Sequence, residues 1–208
     1  MESGYFSEKG NQMSKFLIAG LGNIGEEYSF TRHNIGFEIA DAFAQSLQKE
    51  EEKSSDNFFS NDKLATVYST RFKGKPLVII KPATYMNLSG KAVNYWMQVE
   101  KISVDNILIV ADDLALPFGV VRMKKKGNDG GHNGFTDIIQ VLGTNEFPRL
   151  RFGIGSEFAK GKQVSFVLGK WNPEEEKQLP ARIDHAVQMI KSFISIGIDR
   201  TMSDFNNK

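Results

Sequence analysis

Apolar and polar positions alternate along this chain in blocks that predict strands and helices in turn. Residues 15–20 are apolar almost throughout, with Phe16, Leu17, Ile18 and Ala19 running into Gly20, the pattern of a strand buried on both faces. Ile35, Ile39, Ala40, Phe43, Ala44 and Leu47 recur at helical spacing and predict an amphipathic helix that ends in the charged run 49–53. Residues 50–62 read as a loop. Residues 63–72 alternate as a strand does, and Lys73-Gly74-Lys75 turns the chain into a second strand, 76–81. Asn87 or Ser89 is placed to cap a helix running to Val99. A buried strand over 106–111 ends at Asp112-Asp113, and a strand over 119–126 turns basic at its end. The glycine-rich loop 127–134 (GNDGGHNG) leads into a short helix, 135–142. Late strands are expected at 150–154 and 164–168, then a long helix over 173–196. The sum is a single-domain α/β sandwich with a central mixed, mostly parallel β-sheet flanked by helices, spanning 14–200. A flexible polar extension, 1–13, precedes it and a frayed tail, 201–208, follows.

Composition narrows the class without naming the chemistry. The 208 residues are 40% hydrophobic and 25% charged, and no apolar run approaches the ~18 residues that span a bilayer. The first 13 residues lack the basic and apolar regions of a secretory signal. The absence of cysteine excludes disulfides, thiol nucleophiles and thiolate metal sites, and a cytoplasmic location is expected. The net charge of +1 hides an asymmetry: residues 114–171 carry nine Lys/Arg against four Asp/Glu, which leaves this segment at +5 and the rest at −4. Such a local excess suits a protein that touches a few phosphates on a nucleic acid; solvated lysines on a sheet edge are the plainer explanation.

Gly20-x-Gly22-x-x-Gly25 after the first strand matches the dinucleotide-binding fingerprint. That site needs a helix to begin at the glycines, and here the helical pattern starts only at Ile35. Asp41 stands at about the spacing of the ribose-binding acid, but inside the predicted helix. No nucleophilic-serine elbow or phosphate-binding P-loop is present, and His33, His132 and His185 lack zinc-motif spacing. His185 reads as an ordinary helix residue.

Four polar clusters remain, each at a strand end or in the loop after it: Asn23 with His33, Tyr85-Met86-Asn87, Asp112-Asp113, and Gly130-Gly131-His132-Asn133. Taken singly they are explained as helix caps and turns. Together they fit one cleft outside the carboxyl ends of the strands. The chemistry that suits them is hydrolysis by an activated water. His33 would take the proton, Asp112 would fix its tautomer and favour the imidazolium, and Asn23, Asn87 and Asn133 would hold peptide-like groups and a developing oxyanion. Neither a metal nor a cofactor nor a covalent intermediate is needed.

At these residues the chain resembles bacterial-type peptidyl-tRNA hydrolases. The resemblance rests on GLGNIG-x-x-Tyr-x-x-Thr-Arg-His-Asn, KPATYMNLSGKAV (81–93), Asp112 through Leu116-Pro117, GGHNG (130–134), LRFGIG (150–155) and FVLGK (166–170). It implies that His33 is the general base, that Asp112 stabilises its basic form, and that Asn23 selects N-blocked peptidyl-tRNA over aminoacyl-tRNA. It further implies that Asn87, Gly130, His132 and Asn133 bind the peptide backbone and the tRNA 3′ end, that Tyr28, Tyr85 and Met86 line the pocket, and that Lys124 and Arg151 clamp phosphate. The partner implied is peptidyl-tRNA, bound by a monomer with no membrane and no obligatory protein partner. Ile24, Ala111, Asp113, Ala115 and Asp129 depart from the usual pattern of such proteins. Two other readings compete: a non-catalytic relative that binds RNA or protein, and a nicotinamide oxidoreductase carried by the glycines alone.

Overall fold

The computed structural model describes residues 14–50 and 59–206; the expected extension 1–13 and the end of the tail lie outside them. Strand β1 (Phe16–Gly20) is the middle member of a seven-stranded sheet, which explains why it is apolar on both faces. Around it stand β2 (Ser60–Asp62), β3 (Ala65–Phe72), β4 (Lys75–Pro82), β5 (Ile107–Asp113), β6 (Val121–Lys124) and β7 (Arg149–Gly153), in the order β2-β3-β4-β1-β5-β7-β6. The four central strands β4, β1, β5 and β7 run parallel, and β3 and β6 are antiparallel to them. This is the expected mixed α/β sheet.

Side-chain alternation along β1 feeds two cores. Phe16 and Ile18 pack with α1 (Ile35–Glu50) and α5 (Pro173–Ile196), through Ile39, Phe43, Ile190 and Phe193. Leu17 and Ala19 face the other way, onto α2 (Ser89–Val99) and α3 (Asn133–Leu142), through Val93, Trp96, Phe135 and Ile138. The start of α5 is fixed locally: Asn172 caps it, Glu175 reaches back to the Asn172 N–H, and Pro173 occupies the first turn, where a missing N–H costs nothing.

Four expectations need correction. Residues 60–62 form the short, exposed strand β2 where a loop was expected. Residues 164–168 are not a strand; α4 (Gln163–Val167) is a short helix that turns Phe166 beneath the Arg32 guanidinium, 4.5 Å from the ring centre. The tail does not fray at 201, since α6 (Ile198–Phe205) follows α5 directly, with Thr201 buried and bonded to Ser192 at 2.8 Å. Its Ile198, Met202 and Phe205 pack against the first core. Finally, neither Asn87 nor Ser89 caps α2; a single 3-10 turn (Met86–Leu88) leads into it, and the Ser89 hydroxyl donates to the Met86 carbonyl instead.

Candidate active site

The segment after β1 spends two 3-10 turns, Glu26–Tyr28 and Arg32–Asn34, before α1 begins. The glycines ahead of it serve packing. A Cβ on Gly20 would collide with the Gly36 carbonyl and the Ala40 side chain, so this glycine lets α1 lie against the end of β1. Asp41, the one residue spaced for a ribose, sits in α1 and pairs with Lys81 at 2.6 Å. The dinucleotide reading therefore has neither its helix nor its acid.

Delaying α1 places His33 over the end of β5. His33 Nδ1 lies 2.8 Å from Asp112 Oδ1, and with Nδ1 so engaged Nε2 is the ring nitrogen left to face the cleft. Asp112 is 2% exposed and takes a second imidazole on the same oxygen, His132 Nε2 at 2.9 Å. His132 also caps α3: its Nδ1 accepts from the Gly134 and Phe135 N–H groups at 3.1 and 3.3 Å. A nitrogen that accepts two amide hydrogens carries none itself, so the proton on His132 sits at Nε2 and is donated to Asp112. Burial pushes the Asp112 carboxyl upward, but the electrostatic pull of His132 and then His33, with the hydrogen bonds they donate, outweighs it and holds the group well below the usual carboxylate range.

Asn23 is oriented just as tightly. Its N–H donates to Asn34 Oδ1 at 2.8 Å, and Asn34 Nδ2 returns a bond to the Asn23 carbonyl at 3.0 Å. The Asn23 side-chain oxygen accepts the Met86 N–H at 2.8 Å, which leaves its NH₂ as the group presented to the cleft. In the sequence Asn34 stood out only as the last residue of the Thr-Arg-His-Asn run; the reciprocal pair with Asn23 depends on a loop shape that spacing does not reveal.

These groups line a cleft of about 350 Å³ at the carboxyl ends of the parallel strands. Tyr85, Met86, Asn87, Asp112, Gly130, His132, Asn133 and Arg151 line it with Asn23 and His33, and Val164, Val167 and Leu168 close one side. Tyr28 stands behind the wall, edge-on to Tyr85 at 6.5 Å. Lys124 is also outside the cleft, exposed on β6. Arg151 reaches the rim and holds Asp113 at 2.6 Å.

The chain as a whole matches known proteins over nearly its full length. A family model described as peptidyl-tRNA hydrolase matches residues 17–208. The chain belongs to the peptidyl-tRNA hydrolase family. It is 50% identical over 194 residues to the peptidyl-tRNA hydrolase of Parabacteroides distasonis, covering 93% of this chain and all of that one. It is equally similar, over 192 residues, to that of Porphyromonas gingivalis, covering 92% of this chain and all of the relative. The crystal structure of the Acinetobacter baumannii peptidyl-tRNA hydrolase superposes with a TM-score of 0.83 at 34% identity, covering 95% of this chain and 97% of that one.

Within this family member, His33, Asp112 and His132 also offer one ligand atom each within 4.8 Å of one another, a set of a kind that holds divalent cations. In the arrangement described, those atoms bond one another, and the His132 nitrogen involved carries its proton. Register explains the positive rim. Arg122 lies opposite Arg151 and Lys124 opposite Arg149, so the four cations share one sheet face while Val121, Met123, Leu150 and Phe152 fill the core on the other. Arg122 was not singled out from the sequence, although its alternation with Val121 and Met123 carries the signal. No helix among the described residues is long and apolar enough to cross a membrane.

Proposed function

We propose that this chain hydrolyses the ester between a peptide and its tRNA by a water activated at His33 Nε2. The observation that carries the reading is the His33–Asp112 contact of 2.8 Å, buried on the Asp112 side and open to the cleft on the other. Attack of water on the ester carbonyl transfers a proton to Nε2, and the tRNA 3′ oxygen leaves with a proton returned from the same ring. Asp112, ionised and fixed, compensates the imidazolium that exists between those two transfers. The Asn23 NH₂ is a donor in position for a peptide carbonyl, which suits selection of N-blocked substrates. Exposed Asn87 and Asn133 present further amide groups on either side.

Arg151 and Arg122 at the rim and Lys124 beside them suit the tRNA phosphates. Lys125 and Lys126 are held by Asp199 at 3.3 Å and Glu146 at 2.7 Å, which favours Lys124 as the phosphate contact of the three. The amide groups address backbone common to every peptide, so little discrimination among side chains is expected. The test is turnover of an N-acetylated aminoacyl-tRNA by the wild-type chain and by His33→Ala. The variant should keep the wild-type melting temperature and lose cleavage by a factor on the order of a hundred or more. Wild-type turnover in a folded His33→Ala removes His33 from the mechanism, and no turnover by the wild type leaves a binding role in its place.

A further inference from the structure

Arg149 is a large charged side chain buried to 1% exposure, at a position the chemistry above does not use. Desolvation lowers its pKa to about 10, so it is still a cation at neutral pH, and a buried cation needs partners. Those it has are specific. Nη1 donates to the Asn128 carbonyl at 3.1 Å and Nη2 to the Asn145 carbonyl at 2.9 Å. The guanidinium packs against two rings, 4.9 Å from the centre of Phe135 and 4.2 Å from that of Phe147.

Asn128 enters the loop that carries His132, and Phe135 leaves it. Between them Gly130 and Gly131 adopt positive φ, 63° and 78°, and the Gly131 N–H donates to Asp129 Oδ1 at 2.7 Å. The His132 ring packs against Phe135 in a tilted arrangement, 5.0 Å between centres. Both ends of the loop thus rest on one guanidinium, and the imidazole between them reaches Asp112.

We infer that Arg149 is a positioning residue, which sets His132 against Asp112 by holding the two ends of the glycine loop. This rests on the reading of Asp112 as the partner of the base. The fork is needed because two carbonyls on separate segments must be held at once; lysine keeps the charge and cannot span both.

The test uses Arg149→Met and Arg149→Lys in the full chain, with a short N-blocked aminoacyl-nucleotide ester as substrate. In folded Arg149→Met, kcat should fall about tenfold with KM within about twofold, because the loop misplaces a group near the reacting centre without removing a binding contact. Arg149→Lys should lie between. The His132 Nε2–H proton resonance should move or vanish while that of His185 stays in place. In a His132→Ala background Arg149→Met should add nothing further to the loss of kcat. Wild-type kcat together with an unmoved His132 resonance overturns the inference, as does an additive loss in the double variant. If Arg149→Met does not fold, Arg149→Lys is read by the same criteria. The resonance arm needs no turnover, so it reports on Arg149 even if the wild type proves inactive on peptidyl-tRNA.

Discussion

At the scale of single residues, one carboxylate oxygen accepting two imidazoles defines the site. Asp112 Oδ1 receives His33 Nδ1 and His132 Nε2, and the second ring has its tautomer fixed by the first turn of α3. An asparagine at 112 keeps the shape and an oxygen able to accept from both rings, but offers no charge to an imidazolium. Asp112→Asn should therefore lower kcat on the order of a hundredfold while KM stays near the wild-type value; equal kcat values would show that the charge is not used. Because its carboxyl titrates well below the usual range, Asp112 stays ionised from neutral pH down past the point where exposed carboxylates protonate. The stability it lends is present above the unfolded carboxylate range and is lost only as pH falls below it. His33, Asp112 and Asn23 were legible because each ends a recognisable strand or sits in the loop after it. The bond from His132 to Asp112 was not, since the glycine loop and β5 meet only through tertiary folding.

Among the elements, those with long and regular apolar periods were read from the chain most closely. β1, α1 and α5 are fixed by patterns of five to many residues and, for α5, by a capping box that sequence displays. Residues 164–168 failed because Val-Ser-Phe-Val-Leu has the apolar, β-branched and aromatic content of a strand, yet among the described residues it joins no sheet; the segment instead coils so that Phe166 meets Phe158 and the Arg32 guanidinium. α6 was missed because what holds it is tertiary: Thr201 bonds Ser192 on the packed face of α5, and Asn206 just beyond α6 bonds Met123, 83 residues away. Glu38 in α1 is a chemical counterpart of such long-range effects. Burial raises its pKa from 4.5 to about 7; the Trp171 indole N–H draws it down without reaching hydrogen-bond geometry, and Asp41 adds to the rise. The folded chain binds this proton more tightly than the unfolded one. The contribution is therefore favourable at low pH and is lost as pH rises through about 7. Glu38→Gln should stabilise the protein by about 2 kcal/mol at pH 8 and by little at pH 5, as read by denaturant midpoints; an equal change at both pH values would show that the carboxyl is not buried in solution.

Over the whole molecule, the sheet divides labour between its middle and one edge. The loops at the carboxyl ends of β1 and β4 and the end of β5 supply Asn23, Asn87 and the His33–Asp112 pair, while β7 and β6 supply the cations. The charge excess of residues 114–171 pointed to this edge from the sequence. The family resemblance singled out Arg151, but spacing alone could not separate it from Arg149, because the two stand two residues apart on the same face with opposite fates. Arg151 sits at the rim, tied to Asp113, and a phosphate would replace or share that carboxylate. Arg151→Ala should raise KM for full-length peptidyl-tRNA about tenfold at moderate salt, with a shallower salt dependence, and leave KM for a short aminoacyl-nucleotide ester nearly unchanged. Equal effects on both substrates would place Arg151 in the chemistry instead.

Asn206, one residue beyond α6, turns its amide onto the outer side of β6. Its oxygen takes the Met123 N–H at 2.8 Å and its nitrogen donates to the Met123 carbonyl at 2.9 Å. Those two backbone groups are the ones an incoming strand from another molecule would use. The residue after α6 therefore occupies a backbone donor and acceptor that this edge strand would otherwise leave open. Replacing Asn206 would uncover the Met123 N–H and carbonyl on the outer side of β6.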